Sequence, residues 1–387
     1  MLTERLIHTD FHDLAAVQAE HEAALLALPN VVGVAVGHKY AKGENTGQRC
    51  VTVLVDMKLD RELLGRDDTV PGTIGSVPTD VREVGILQAG AGPALAPQRL
   101  AEWPELIGWE REHPQEEVAQ PPREQFAALS RAVRGQGVMA GAGFAPTTVA
   151  KLRPAPGGTS IGHYRGTAGT LGVCCFDYTH AGPAPAGLAM PHRFYLLSNN
   201  HVLANCNEAT MGDPILQPAI ADGGNPATDT IGWLARFVPL RFALDRDRWP
   251  INFVDAAIAE GRFDQLDRRI HWIGDLRGIN PAPKVGSLVQ KCGRASFYTT
   301  GAIVAVNATV KVDYPGGRMA RFAKQIICAG LSSGGDSGAV VVDIEQRAIG
   351  LLFATSTTIS VMNPITLVEQ LLDIRIAESL TNGRPRG

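Results

Sequence analysis

The chain has 387 residues, of which 45% are hydrophobic and 19% charged, with a formal net charge of -3. That length exceeds one ordinary domain and favours two or three with a sizeable core. The near-balanced charge leaves no basic surplus for nucleic acid or an anionic membrane, and no apolar run reaches the roughly 18 residues that span a bilayer.

The opening MLTERLIHTDFHDL is broken by charges and histidines, unlike a secretory signal, so the chain reads as cytoplasmic. In that compartment Cys50, Cys174, Cys175, Cys206, Cys292 and Cys328 are expected to be buried free thiols rather than disulfides. LAAVQAEHEAALLAL then spaces Leu14, Val17, Leu25 and Leu28 along one helix face, ended by Pro29. VVGVAVGHKY and CVTVLVDMKL are β-branched runs joined by the polar AKGENTGQR, the pattern of a hairpin with a long loop. IGSVPTDVREVG completes a small α+β domain over 1–88, and the Pro/Ala-rich stretch 89–139 predicts a partly helical linker.

From residue 140 the texture changes to short apolar runs between glycine turns, among them TAGTLGVCCF, RFYLLSNNHVL, TIGWLARFV, NFVDAAIAE, TTGAIVAVNATVKV and AIGLLFAT. Many short strands at this spacing indicate a mainly β region, a barrel or a sandwich, with two barrels, about 140–265 and 266–365, as the expected form. PITLVEQLLDIRIAESL reads as a C-terminal helix opened by Pro364. No internal repeat is visible.

The chemistry concentrates in this β region. In GGDSGAV, Ser337 lies in a glycine-bracketed turn before an apolar strand. A serine hydroxyl attacks only when a base takes its proton, and the base in turn needs a carboxylate to fix its tautomer. His201, at the end of the apolar run in SNNHVL, is the candidate base. Asp255, between Val254 and Ala256, is the candidate carboxylate, because a charge among apolar neighbours requires a partner. The backbone N–H groups of Gly335 and Ser337 are candidate donors for an oxyanion, since flanking glycines allow the tight turn and close substrate approach.

SNNHVLAN, VDAAIA and GGDSGAV, in that order, resemble the histidine, aspartate and serine motifs of the chymotrypsin-like (trypsin-like) serine peptidases. IGSVPTDVREVG, GGTSIGHYRGTAGTLG and SNNHVLANCNEATMGDPILQP narrow the resemblance to the trypsin-like peptidases related to the plant NARROW LEAF protein and its bacterial relatives, over roughly residues 30 to 370. The resemblance implies a chymotrypsin-like double β-barrel with the site in the cleft between barrels. It implies Ser337 as nucleophile, His201 as general base and acid, and Asp255 as orienting carboxylate. Leu331 would floor a specificity pocket, and the strand Leu351 to Thr355, with Phe353, Ala354 and Thr355, would hold substrate backbone. An apolar floor favours an uncharged residue before the scissile bond.

In secreted relatives the acid at position 336 is paired by a newly cut N-terminal amine. Ile161 stands at a comparable distance before the histidine, although SIGHYRG reads equally as a first barrel strand.

Competing readings are weaker. Asp229, Asp245 and Asp247 lie in polar runs and read as loop or capping carboxylates. GLSSG would nominate Ser332 as an α/β-hydrolase nucleophile, but that fold needs a later histidine and none follows His271. HEAAL at His21 lacks the second histidine of a zinc helix, and Cys174 with Cys175 lacks ligand spacing, so no metal or other cofactor is implied. The expectation is a serine endopeptidase acting on protein or peptide substrates. Its N-terminal region supplies no catalytic group and is placed for oligomerisation, substrate choice or autoinhibition. The alternative is a catalytically silent scaffold that binds protein.

Overall fold

The computed structural model describes residues 11–60, 64–65, 68–90, 148–177, 193–245 and 249–376. The predicted linker lies outside them from residue 91 onward. The helix α1 (His12–Ala27) buries Leu14, Leu25 and Leu26, while Val17 and Leu28 are partly covered. Its apolar face also carries Gln18, which the hydrophobic spacing did not single out. Gln18 is buried, accepts from the Asn307 side chain and donates to the Asn307 and Val34 carbonyls, so the helix is pinned as well as packed.

Strands β1 (Val31–Ala41) and β2 (Glu44–Val55) form the expected hairpin, but the connection is much shorter than the sequence implied. Ala41 pairs with Glu44, leaving only Lys42 and Gly43 between the strands. Both have positive φ, 54° and 87°, as a two-residue turn matched to strand twist requires. The polar residues of ENTGQR are thus exposed strand, not loop. After β3 (Thr73–Ile74), β4 (Val77–Glu83) lies parallel to β2.

The next strands are β5 (Ala155–Gly157), β6 (Ser160–His163), β7 (Gly169–Thr170), β8 (Val173–Asp177) and β9 (Phe194–Ser198). The short helix α2 (Asn200–Leu203) leads to β10 (Pro214–Leu216), β11 (Thr230–Phe237), β12 (Ile251–Asn252), β13 (Ala257–Gly261) and β14 (Leu266–Ile270). Adjacent pairings run β7–β6–β10–β11–β13–β9–β8. Leu171 N–H donates to the Thr159 carbonyl and Gly172 N–H to the Leu197 carbonyl, so β7 and β8 act as one bent strand that closes the ring. This is the first barrel.

The second barrel comprises β15 (Leu288–Gly293), β16 (Phe297–Tyr314), β17 (Arg318–Ala329), β18 (Val340–Asp343), β19 (Ala348–Thr355) and β20 (Ile359–Pro364). Its ring β16–β17–β20–β19–β18–β15 closes back onto β16, with every pair antiparallel. The fold class is therefore mainly β, with the two barrels expected. Between them, Val173, Leu197, Val254 and Ile258 of the first half share one buried cluster with Cys292, Val340, Ile365 and Val368 of the second.

Strand β16 is long enough to serve two neighbours. Beyond the barrel it pairs with β1, so the N-terminal hairpin extends the second barrel's sheet. The register shifts near Asn307, whose φ is +52°, as at a bulge that turns a strand from one partner to another. Gly37 permits the approach of β1, since a Cβ there would lie 2.7 Å from the Val304 carbonyl oxygen.

The C-terminal element differs from expectation. Helix α3 (Ile365–Leu372) ends at Asp373, which is left-handed, and Ile374–Ile376 forms β21, antiparallel to β8. The Ile-Arg-Ile alternation suits a half-buried strand better than a helix face, and Glu369 of α3 accepts the Ile376 N–H at 3.0 Å. The chain thus returns to the first barrel. Among the described residues, no helix is long and apolar enough to cross a membrane. All six cysteines are free and buried.

Candidate active site

β9 ends at Ser198 and the chain turns into α2, which carries His201. The two asparagines between them hold the turn. Asn199 donates from its side chain to the Asp255 carbonyl at 2.7 Å, and Asn200 donates to the Val238 carbonyl at 2.8 Å. This is the physical content of SNNH: each amide satisfies a backbone acceptor that the turn would otherwise strand.

His201 and Asp255 meet in the interior. Nδ1 of His201 lies 2.6 Å from Oδ2 of Asp255, and the His201 backbone N–H donates to Oδ1 at 3.2 Å. The carboxylate is fully buried, which is tolerable only with its oxygens engaged. A third donor comes from the second barrel: the Tyr314 hydroxyl reaches Oδ2 at 2.8 Å. The Asp255 backbone is held too, its N–H by the Asn363 side-chain oxygen at 3.0 Å. On the far side of the imidazole, Nε2 is buried without a hydrogen-bond partner among the described residues.

Ser337 stands at the start of the turn into β18. Its carbonyl accepts the Thr170 N–H at 2.7 Å, while its hydroxyl donates to the Phe353 carbonyl at 3.4 Å. The histidine helix and the serine turn converge on Gly169: a Cβ there would lie 2.5 Å from Val202 Cγ2 and 2.9 Å from the Ser337 carbonyl oxygen. Only a glycine lets all three strands of backbone close up.

The turn itself is held by Asp336. This carboxylate is fully buried and accepts the N–H groups of Ser333 (3.0 Å), Ala295 (2.8 Å) and Ser296 (3.0 Å) and the Ser296 hydroxyl. Lys291 Nζ lies 3.0 Å from Oδ2, and both side chains are 0% exposed. Burial alone would push this carboxyl up, but the Lys291 charge, the Ser296 hydroxyl and the backbone N–H groups outweigh it and hold it below its ordinary value of 3.8. Gly335 has φ of +101°, and neither its N–H nor that of Ser337 has an acceptor among the described residues. The two unpaired donors thus lie two residues apart in one turn that a glycine's positive φ allows.

The remaining predicted positions divide. Ile161 is buried in β6 and Asp336 is paired by Lys291, so no terminal amine is needed beside it. Leu331 is 1% exposed, packed among Val289, Ile303 and Val341. Phe353 and Ala354 are buried in β19, with the Phe353 ring 4.6 Å from that of Phe322. Thr355 is half-buried, and its backbone is engaged: its N–H donates to the Gln88 carbonyl at 3.0 Å and its carbonyl accepts the Gln88 N–H at 2.9 Å. Asp229 is bound to Lys151 at 2.6 Å, and Ser332 shares a hydroxyl hydrogen bond with Ser360. Asp247 lies outside the described residues.

Sequence reasoning missed Lys291, Tyr314, Asn363 and Gln88. Only Lys291 left a signal, as a lone charge between Val289 and Cys292 on an apolar strand. Nothing distinguishes Tyr314 from any strand-end aromatic.

No family model and no curated protein matches the chain. By structure it is similar to serine proteases of known fold at low identity. One is Thermobifida fusca Protease A, with 14% identity, 58% of this chain and 98% of that chain covered, and a TM-score of 0.40. The Nocardiopsis protease gives 17% identity, 57% and 97% coverage, and a TM-score of 0.39. Cellulomonas bogoriensis chymotrypsin gives 16% identity, 58% and 98% coverage, and a TM-score of 0.38.

Proposed function

We propose that the chain is a serine endopeptidase, of the trypsin-like kind related to the plant NARROW LEAF protein, that cuts protein or peptide substrates through an acyl-enzyme. The observation that carries this reading is the buried His201–Asp255 pair at 2.6 Å with its outer nitrogen unclaimed, on a helix that meets the Ser337 turn at Gly169.

In this reading the Ser337 hydroxyl rotates from the Phe353 carbonyl toward His201 Nε2, which takes its proton as the oxygen attacks the scissile carbonyl. The N–H groups of Gly335 and Ser337 stabilise the resulting oxyanion, each worth about 3 kcal/mol in the transition state. Asp255 keeps the imidazole in the Nδ1–H tautomer and offsets its charge once protonated. The imidazolium then protonates the leaving amine, and water repeats the sequence to release the acid. No cofactor enters these steps. The location we assign is cytoplasmic, and the N-terminal region is the candidate surface for homo-oligomer formation.

The N-terminal region also supplies a restraint. Gly338 N–H donates to the Leu352 carbonyl and Ser337 Oγ to that of Phe353, so on its β18 side β19 runs on past the hydroxyl from Phe353 to Thr355 as an edge beyond that pairing. A substrate strand pairing with that edge would run directly to Ser337. Gln88 already pairs there, and Leu87 is buried against the same sheet. We read residues 87–90 as an intramolecular occupant of the substrate edge that must withdraw for cleavage.

The silent-scaffold reading draws on the same contact and on the serine hydroxyl being turned away from His201. A fluorophosphonate probe separates the two. Labelling of the wild type that is lost in Ser337→Ala, and increased in Gln88→Pro, which removes the pairing N–H, is the expected result. Absence of labelling in both the wild type and Gln88→Pro would favour the scaffold.

A further inference from the structure

The Asp255 carboxylate receives one donor that belongs to neither of the motifs around it. Tyr314 is the last residue of β16, in the second barrel, yet its hydroxyl lies 2.8 Å from the oxygen that also faces His201 Nδ1. The phenol is almost fully buried. Its ring is fixed on three sides: near-parallel to Phe322 at 6.1 Å, edge-on to Phe242 at 5.5 Å and edge-on to His201 itself at 6.0 Å. A buried phenol needs an acceptor, and here the acceptor is the one carboxylate that orients the histidine.

We propose that Tyr314 is a positioning residue that locks the Asp255 carboxylate and weakens its pull on the His201 proton, joining the two barrels through the catalytic pair. The proposal deepens the peptidase reading and rests on it. Oδ2 is shared between two donors, so each takes part of its electron density. Without the phenol, Oδ2 would bind the Nδ1 proton alone and more strongly, and the imidazolium would gain stability relative to the neutral base. The carboxylate would also lose one of the three donors that fix its plane.

The ionisable groups facing Asp255 are few. They are His201 on α2, Tyr314 on β16 and Cys206 in the loop after α2, whose thiol burial pushes up to about 12. His201 is already engaged through Nδ1, and the Cys206 thiol, which stays protonated, is only a weak S–H donor, so neither replaces the phenol.

The test has two readouts. The first is the proton resonance of His201 Nδ1–H, which is measured whether or not the protein cleaves anything. In Tyr314→Phe it should move downfield, reporting a stronger bond to Asp255, whereas Phe242→Leu, which loosens the same aromatic cluster without touching Asp255, should leave it in place. The second is the pH dependence of peptide cleavage. Tyr314→Phe should shift the acid limb to higher pH and lower kcat about tenfold with KM little changed, because Tyr314 is almost fully buried and out of a substrate's reach. If Tyr314→Phe folds poorly, 3-fluorotyrosine at 314 keeps the hydroxyl and the shape but donates more strongly, and it should move the resonance upfield. An unmoved resonance in both variants, or an equal shift in Phe242→Leu, overturns the role of Tyr314. A shifted resonance in a protein that no serine probe labels would leave the positioning role standing and remove the peptidase reading.

Discussion

The buried pair beneath the serine turn gives the sharpest test of how the turn is held. In Lys291→Met the ammonium is replaced by an apolar chain of similar length, leaving Asp336 buried and charged. Removing one member of a buried ion pair costs about 3–5 kcal/mol. Asp336 keeps the N–H groups of Ser333, Ala295 and Ser296 and the Ser296 hydroxyl, so the lower end, about 3 kcal/mol, is expected. At roughly 2–4 °C per kcal/mol for a large domain, Tm should fall by about 6–12 °C. The pH dependence has a definite sign. Since the folded Asp336 carboxyl is held below 3.8, its contribution is present above that value and fades as pH falls through the folded value. The gap between wild type and variant should therefore be full at neutral pH and narrow in acid. The double variant Lys291→Met, Asp336→Asn, which removes both charges, should recover part of the loss. Calorimetry across pH measures stability, and the labelling rate of Ser337 reads the turn, with about a hundredfold loss expected if the two free N–H groups move. Equal melting of wild type and Lys291→Met at neutral pH would refute the reasoning.

Two further outcomes follow from the same geometry. Gly338→Ala places a Cβ 2.1 Å from Ser198 Oγ and 2.2 Å from the Thr170 carbonyl oxygen at a φ of +97°, so the turn must shift. Probe labelling should then fall to background while circular dichroism stays mainly β. Peptide libraries should show little preference for Lys or Arg before the scissile bond, since Leu331, the expected pocket floor, is apolar and packed among Val289, Ile303 and Val341; strong cleavage after basic residues would reject that assignment.

Both barrels were legible because each strand carries its own local signal, a short apolar run between glycine turns, and burial on both barrel faces rewards it. The pairing of His201 with Asp255 left a different trace: a carboxylate between Val254 and Ala256 has no structural excuse without a partner, and His201 is that partner. Elements whose form depends on distant partners were harder to read. The exposed half of β2 looks like a loop because its residues are polar, and it is a strand because a two-residue turn holds it against β1. Ile374–Ile376 looks like the end of a helix until β8 offers it an edge. Tyr314 and Gln88 are the strongest cases. The phenol acquires its role only when the end of a strand in one barrel arrives against a carboxylate from the other, and Gln88 acquires its role only when the N-terminal sheet is laid onto the second barrel. Local pattern therefore marks the candidate reacting groups, while the groups that contact and cover them are set by how the barrels and the N-terminal hairpin assemble. On the proposed reading, Lys291, Tyr314 and Gln88 therefore decide whether the serine, histidine and aspartate can act together.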